Sequence, residues 1–283
     1  MTVAVTGAGG QLGRLVVEAL LHTQTPVVAI VRNRAGAAEL AERGVELRQA
    51  DYDDPRLLDE ALMGVRRLLL VSGSEFGVRV GQHVNVIRAA ERANVELLAY
   101  TSIPNAHRNP MIMAQDHKAT EAALIDADVP HTLLRNGWYW ENYLPGLARA
   151  VKTGVMYGAA RHGRVSGAAR ADLAEAAATV LATEGHAGRV YELGGDAVTY
   201  AGLAAAMSEA AGRPVRYQDL PPEDFTADLE RAGVPTGFAQ VLTDSDQRIA
   251  EDALFTDGQD LAGLIGHPAT PAVEVFRAAL ARK

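Results

Sequence analysis

Cysteine is absent from the 283-residue chain, which excludes disulfide bonds, cysteine-ligated zinc sites and thiol catalysis. No apolar run approaches the roughly 18 residues that a membrane-spanning helix needs, and no signal peptide is expected because an apolar strand is predicted from residue 2. The eight histidines show no close helical ligand spacing, so no metal site is expected. Acidic residues outnumber basic ones, with a formal net charge of −8, which disfavours a nucleic-acid partner. We therefore expect a cytoplasmic protein that binds neither nucleic acid nor membranes.

The most informative feature that is present is a glycine loop directly after the first apolar strand. Gly7, Gly10 and Gly13 are spaced as G-x-x-G-x-x-G. Gly7 permits a tight turn, Gly10 lets the backbone approach a pyrophosphate, and Gly13 lets the next helix pack closely on the strand. An apolar stripe at helical spacing from Leu12 to Leu21 predicts that helix, whose first amides would face an anion. The strand, loop and helix together predict a dinucleotide-binding site rather than an ordinary turn.

Apolar runs alternate with helical stretches through the first half of the chain. Strands are predicted at 26–31, 67–71, 97–101 and 131–135. Helices are predicted at 35–43, 55–63, 78–93 and 115–127. Continuous rather than alternating hydrophobicity is typical of strands that are covered on both faces. The expected fold class is therefore α/β, with a doubly wound parallel sheet of the Rossmann type and right-handed crossovers.

The alternation becomes less regular after Gly137. Here the sequence predicts strands at 154–158 and 189–193 and helices at 171–184, at 200–211 and from Pro221 onwards. The segment 261–271 is predicted to be a turn-rich closure before a last helix. We expect residues 1–137 to form the dinucleotide-binding core. Residues 138–283 are expected to form a smaller mixed α/β substrate region, with segments that return to the core.

The residues after the second strand indicate which dinucleotide is bound. An acid is typical of NAD sites at this place, because it accepts from the adenosine ribose. Here Arg32 and Arg34 follow the strand, and no acid lies between Val31 and Gly36. A guanidinium binds a 2′-phosphate whereas an acid repels it, so NADPH is favoured over NADH. The alternative is that Arg32 is a solvated loop charge.

Asp51 ends the third strand region and has two possible roles. It either contacts the adenine edge or caps the helix that starts at Pro55, and we favour the cap.

Two later segments, Arg135-Asn-Gly-Trp-Tyr-Trp-Glu-Asn-Tyr143 and Leu264-Ile-Gly-His-Pro-Ala-Thr-Pro271, give the chain a family resemblance. With the glycine loop and Arg32, they resemble the NmrA-like branch of the atypical short-chain dehydrogenases/reductases. Within it the chain looks most like bacterial members that reduce quinones with NADPH and carry no zinc. The resemblance covers essentially the whole chain.

Carried over by position, the resemblance implies cofactor contacts at the carboxyl ends of the predicted strands, where open parallel sheets bind ligands. The implied cofactor residues are Thr6, Gly7, Gly9, Gly10, Gln11, Leu12, Arg32, Ser72, Gly73, Ser74, Tyr100, Thr101, Ser102, Asn136, Gly137 and Trp138. Arg32 is the implied partner of the 2′-phosphate, and the segment from Asn136 to Trp138 would border the nicotinamide. For Tyr100, burial in the sheet is an alternative.

The chain departs from the larger short-chain family in its chemistry. That family uses Tyr-x-x-x-Lys, but none of the three lysines here stands four residues after any of the eight tyrosines. A quinone needs a weaker acid than a ketone, because the hydroquinone anion is much less basic than an alkoxide. His117 occupies the place where related reductases carry a lysine, so it is the first candidate proton donor. The alternative interpretation is that His117 is a solvated helix residue. Tyr139 is a second candidate for the catalytic residue.

Aromatic residues concentrate just after the sixth predicted strand. Both tryptophans and two tyrosines lie within residues 138–143, and a helix there would put Tyr139 and Tyr143 on one face. We expect half of this cluster in the core and half facing the substrate. The proposed substrate residues are Phe76, Met111, Trp138, Tyr139 and Tyr143. His83 is predicted to be a helix histidine bonded to a neighbouring strand.

The sequence therefore predicts an NADPH-dependent oxidoreductase that transfers hydride to quinones or similar flat conjugated acceptors, as a monomer or homodimer. An NADP(H)-binding redox sensor that signals without turnover is the alternative. A dye is a further possible acceptor, and it would use the same site.

Overall fold

The computed structural model describes residues 2–282 as a layered arrangement of helices and strands. In chain order the elements are β1 Val3–Val5, α1 Gln11–His22, β2 Val27–Val31, α2 Ala38–Glu42, β3 Glu46–Gln49, α3 Pro55–Ala61, β4 Arg67–Leu70, α4 Arg79–Arg92, β5 Leu97–Ser102, α5 Ala114–Ile125, β6 His131–Asn136, β7 Trp138–Tyr139, α6 Leu144–Thr153, β8 Val155–Gly158, β9 Arg164–Ala168, α7 Arg170–Ala182, β10 Val190–Leu193, β11 Ala197–Thr199, α8 Tyr200–Ala211, β12 Arg216–Asp219, α9 Pro222–Arg231, α10 Thr236–Ile249, α11 Asp260–Ile265 and α12 Ala272–Ala281. Short 3₁₀ turns lie at Ala35–Ala37 and Trp140–Tyr143.

The main sheet has seven strands in the order β10-β6-β5-β4-β1-β2-β3, and every neighbouring pair is parallel. Strand order reverses at β1, which places β4 on one side of it and β2 on the other. This is the Rossmann order, and the crevice at the point of reversal is where such sheets bind ligands. The predicted doubly wound α/β fold is confirmed.

Apolar side chains cover both faces of this sheet. In β1, Val3 and Val5 pack with α1, α2, α7 and α11, whereas Ala4 between them packs with α3, α4 and α5 on the other face. Successive side chains of a strand point to opposite faces, so a strand buried on both sides must be apolar throughout. The continuous hydrophobic runs seen in the sequence have this cause.

The C-terminal half builds a third apolar cluster and two small sheets, β11-β9-β7 and β12-β8. Two of its elements return to the first half of the chain. Strand β10 pairs with β6 at the edge of the main sheet, with Tyr191 opposite Leu134, and α7 packs against α1.

Several local predictions were wrong or incomplete. The segment 261–271 contains α11 as well as turns, and the aromatic run starts as strand β7 rather than a helix because it pairs with β9. The cap of α3 is Asp54, whose Oδ1 accepts from the amides of Arg56 and Leu57 at 3.1 Å. Asp51 accepts instead from the amide of Asp53. A cap must immediately precede the first helical residue, and only Asp54 does.

Helix α10 was not predicted, because much of the side that it buries is polar. Thr243, Ser245 and Asp246 are buried on it together with Ala239 and Ile249, so the apolar periodicity that marks an amphipathic helix is weak. Asp246 accepts from the Tyr200 hydroxyl at 2.5 Å and from the Ala159 amide at 2.8 Å. The pKa of Asp246 is raised to about 7, mainly by burial and to a smaller extent by Asp219, although the bonds from Tyr200 and Ala159 lower it.

This buried carboxyl makes stability depend on pH. The folded-state pKa of Asp246 lies above the unfolded value, so folding is disfavoured as pH rises from about 4 to about 7, where only the unfolded state is ionised. Asparagine stays neutral at every pH. We expect the stability of Asp246→Asn relative to the wild type to increase by about 4 kcal/mol between these pH limits, measured by urea unfolding at several pH values. Asp224→Asn, at an exposed site on α9, is the matched control and should show no such gain.

Candidate cofactor and substrate cleft

The glycine loop lies at the carboxyl end of β1 and is shaped by close backbone packing. Gly7 has a φ of +58°, and its carbonyl accepts from the Gly10 amide at 2.9 Å. A Cβ at Gly13 would lie 2.4 Å from the Gly7 oxygen, so only glycine lets α1 approach this closely. Gly7, Gly9, Gly10 and Gln11 are exposed, and Leu12 is buried. Within the described chain no side chain caps α1, which leaves its first amides available to an anion.

The Thr6 side chain holds the start of the glycine loop in place. Its buried hydroxyl donates to the Leu69 carbonyl at 3.1 Å and accepts from the Val71 amide at 3.1 Å. The Tyr52 hydroxyl also bonds to it. Since these bonds occupy the Thr6 hydroxyl, its role in the cleft is to fix β1 against β4.

Arg32 stands at the end of β2 with its side chain 70% exposed. Its Nη1 lies 3.3 Å from Oε1 of Glu75, which belongs to the loop after β4. The Arg32 carbonyl accepts from Gln49 Nε2 at 3.0 Å. The backbone of Arg32 is therefore held in place, whereas its guanidinium is at the surface. Glu75 is its acidic neighbour across the crevice.

The loop Ser72–Ser74 after β4 is held by two buried side chains. The Ser72 amide donates to Thr101 Oγ1 at 2.8 Å, and the Gly73 amide donates to His83 Nε2 at 2.9 Å. Because Nε2 accepts, the proton of His83 is on Nδ1, which donates to Thr120 Oγ1 at 2.8 Å. Burial, with Arg79 nearby, lowers the pKa of His83 to about 4, which keeps the ring neutral. His83 thus bonds to a loop and to α5 rather than to a strand.

Tyr100 is fully buried, and its hydroxyl lies 2.9 Å from Nδ1 of His117. The sequence left burial of Tyr100 open, and the structure shows it. Burial lowers the pKa of His117 well below its ordinary value, with smaller contributions from Arg79 and His83. Burial also raises the pKa of Tyr100. His117 is half-buried, and its lowered pKa keeps the imidazole neutral at neutral pH.

Ser102 belongs to a buried ionic network that crosses the sheet. Its hydroxyl donates to Oε1 of Glu121 at 2.6 Å. Arg135 donates to Glu121 at 2.7 Å and to Glu192 at 2.9 Å. Glu192 also accepts from the Asn105 amide at 3.1 Å. The network as a whole therefore joins β5, β6, α5 and β10, and the Ser102 hydroxyl is engaged within it.

The segment Asn136–Tyr139 closes the crevice at the end of β6. A Cβ at Gly137 would lie 2.5 Å from the Ser166 carbonyl oxygen, so this position has room for glycine alone. Asn136 is 5% exposed, and its Oδ1 has no hydrogen-bond partner among residues 2–282. Trp138 is half-buried, and the Arg170 guanidinium lies 4.9 Å from the ring centre of Tyr139. Burial raises the pKa of Tyr139, so its hydroxyl stays protonated at neutral pH.

The predicted substrate residues do not share one environment. Phe76 is 45% exposed and lies against the Arg79 guanidinium. Met111 is fully buried in the third apolar cluster, and its neighbour Ile112 is the exposed one. Met111 therefore belongs to the core and is not on the surface of the cleft. The hydroxyl of Tyr143 is buried without a hydrogen-bond partner in the described chain.

Sequence reasoning did not identify Glu75 or the role of His83 at Gly73. Glu75 carries no motif, and His83 is ten residues from the amide that it holds. Only the fold brings them to the cleft. Across residues 2–282, three or more His, Cys, Asp or Glu side chains never gather into a metal-binding group. No helix in the same range is long and apolar enough to cross a bilayer.

The chain is similar to several proteins of known sequence or structure. The chain is 48% identical to Quinone oxidoreductase 2 of Escherichia coli (strain K12), over 96% of each chain. An Escherichia coli NADPH-dependent quinone oxidoreductase complexed with NADPH superposes with a TM-score of 0.95 at 48% identity, over 98% of this chain and 99% of that one. Triphenylmethane reductase from Citrobacter sp., complexed with NADP(H), matches with a TM-score of 0.93 at 38% identity, over 98% and 99%. The model of the NmrA-like family matches residues 1–273, and the chain belongs to this family.

Proposed function

We propose that this protein is an NADPH-dependent oxidoreductase that transfers hydride to quinones and similar flat conjugated acceptors. The observation that carries the proposal is the open glycine loop at the point where strand order reverses, with Arg32 beside it in place of an acid. The 48% identity to a quinone oxidoreductase over nearly the whole chain supports the choice of substrate. In this proposal residues 1–137 hold the cofactor and residues 138–283 supply most of the substrate side.

The residues at the crevice fit a dinucleotide phosphate. The uncapped start of α1 suits a pyrophosphate, and the exposed guanidinium of Arg32 suits a 2′-phosphate. The unpartnered Oδ1 of Asn136 suits a hydrogen-bond donor at the other end of the site. When bound, NADPH supplies the hydride.

Rigid loops let the protein control how the acceptor and the cofactor are oriented relative to each other. His83 and Thr101 fix the backbone of Ser72–Ser74, and Thr6 fixes β1 against β4. Gly137 fixes the turn after β6 through close contacts with Ser166 and Leu193. Holding a flat acceptor against the cofactor in one geometry supplies a large part of such a rate enhancement.

His117 is proposed as a neutral hydrogen-bond donor rather than a charged acid. In this proposal the Tyr100 hydroxyl, which lies 2.9 Å from Nδ1 of His117, donates to that nitrogen, so the ring proton lies on Nε2. That N–H then donates to the acceptor oxygen that gains charge. Tyr100 acts as a positioning residue, because it sets the tautomer and angle of the imidazole.

The pH profile distinguishes this role from that of an imidazolium acid. Because the pKa of His117 is well below its ordinary value, kcat should stay level between about pH 6 and pH 8. We expect His117→Ala to lower kcat about tenfold or more with little change in the KM for NADPH. A loss of less than about threefold, or a wild-type kcat that falls steadily across this range, contradicts the assignment.

The test of function is the loss of the NADPH absorbance band in the presence of several quinones and a triphenylmethane dye. Turnover of quinones supports the proposal, and turnover of the dye alone moves the substrate class to dyes. Saturable NADPH binding without turnover of any acceptor contradicts an enzyme and favours a redox sensor.

A further inference from the structure

Glu75 occupies a position in the cleft that the proposed function does not use. Its Oε1 lies 3.3 Å from Nη1 of Arg32, the guanidinium assigned to the 2′-phosphate. The other carboxylate oxygen, Oε2, accepts from Gln82 Nε2 at 3.3 Å. Gln82 is buried on α4 and also donates to Asp53 at 3.0 Å. Glu75 is therefore directed towards Arg32 by a side chain of the folded core.

The ion pair crosses the mouth of the crevice. Arg32 follows β2 and Glu75 lies in the loop after β4, and these two strands flank β1. The glycine loop lies between their ends: a Cβ at Gly7 would be 3.4 Å from Val71 Cβ, and one at Gly9 would be 4.0 Å from Val31 Cγ1. A contact between Arg32 and Glu75 therefore spans the glycine loop.

We propose that Glu75 is a specificity-determining residue, which pairs with Arg32 until a 2′-phosphate displaces it and so limits the preference for NADPH over NADH. The proposal rests on the NADPH-dependent activity proposed above. To bind Arg32, a 2′-phosphate must first displace the carboxylate of Glu75, and it must then lie near the negative charge of that carboxylate. Both effects weaken the binding of NADPH. NADH has no phosphate there and leaves the pair intact. Glu75 therefore acts against one cofactor only.

The experiment is a fluorescence titration of NADPH and NADH with Glu75→Gln, Arg32→Gln and the double variant. Glutamine keeps the shape and the neutral hydrogen bonds of Glu75, and the side chain is 50% exposed, so folding should be preserved. We expect Glu75→Gln to tighten NADPH about three- to tenfold and to change NADH less than about twofold. In the Arg32→Gln background the same change should tighten NADPH less, because the repulsion between Glu75 and the phosphate is still removed but no guanidinium remains to be released.

Glu42→Gln on α2 changes the net charge equally at an exposed site away from this pair, and it should alter neither affinity beyond about twofold. The proposal is overturned if Glu75→Gln tightens both cofactors equally, weakens NADPH, or acts as strongly without Arg32. Missing quinone turnover in the wild type would instead overturn the proposed activity, since these titrations do not depend on catalysis.

Discussion

Replacement of Arg32 by glutamate is expected to raise the dissociation constant for NADPH about a hundredfold or more, and that for NADH less than threefold. The substitution removes the proposed charge-assisted hydrogen bond and puts a carboxylate at the proposed site of the 2′-phosphate. The side chain is 70% exposed, so the protein should fold normally. Titration of both cofactors followed by fluorescence measures the two constants.

Arg34→Glu is the matched control, because it makes the same charge change two residues further along the exposed loop. It should weaken NADPH only severalfold, through the long-range field, and this effect should fade with added salt. Equal losses for both cofactors in Arg32→Glu, or an equal loss of NADPH binding in Arg34→Glu, would remove Arg32 from the phosphate site.

Gly13→Ala is the second substitution with a large expected effect. The new Cβ would lie 2.4 Å from the Gly7 oxygen and 2.9 Å from Ala8 Cα. Both are backbone atoms, so no side-chain rotation can relieve the clash. Helix α1 must then move away from β1, which we expect to cost about 1–3 kcal/mol of stability. The displaced amides should weaken NADPH binding by about tenfold or more. Urea unfolding and cofactor titration measure the two effects.

Gly81→Ala tests whether the effect is local to the loop. Gly81 lies in α4, and a Cβ there would have no atom within 4 Å. Alanine is the better helix former, so this variant should gain about 0.5–1 kcal/mol and bind NADPH normally. If Gly13→Ala behaves like Gly81→Ala, close packing of α1 is not what the glycine provides.

Local patterns were sufficient to predict the main sheet and the tight packing of the glycine loop. The run 26–31 is apolar because β2 is covered on both faces, and the observed strand is Val27–Val31. Gly7 and Gly13 were assigned from spacing alone, and both meet a backbone requirement in the structure. In each case the pattern lies within one short segment, so the sequence itself carries the signal.

Features that depend on distant partners could not be predicted in this way. Trp138 and Tyr139 form a strand only because β9 lies beside them, some thirty residues later. Glu75 meets Arg32 across 43 residues, and Arg135 meets Glu192 across 57. His117 lies near the start of a helix among charged residues, a pattern that predicts a solvated side chain. Its contact with Tyr100 is visible only in the structure. A single sequence does not indicate which of its many charges and aromatic residues the fold brings together.

The pairing of β10 with the main sheet has a consequence for how the protein unfolds. A fragment that ends at Gly137 would lack this strand and leave the outer edge of β6 without its ladder partner, while the loss of α7 would expose the apolar side of α1. An unprotected parallel edge of this kind promotes self-association. The two halves should therefore melt in one cooperative step, and limited proteolysis should not release a persistent amino-terminal piece.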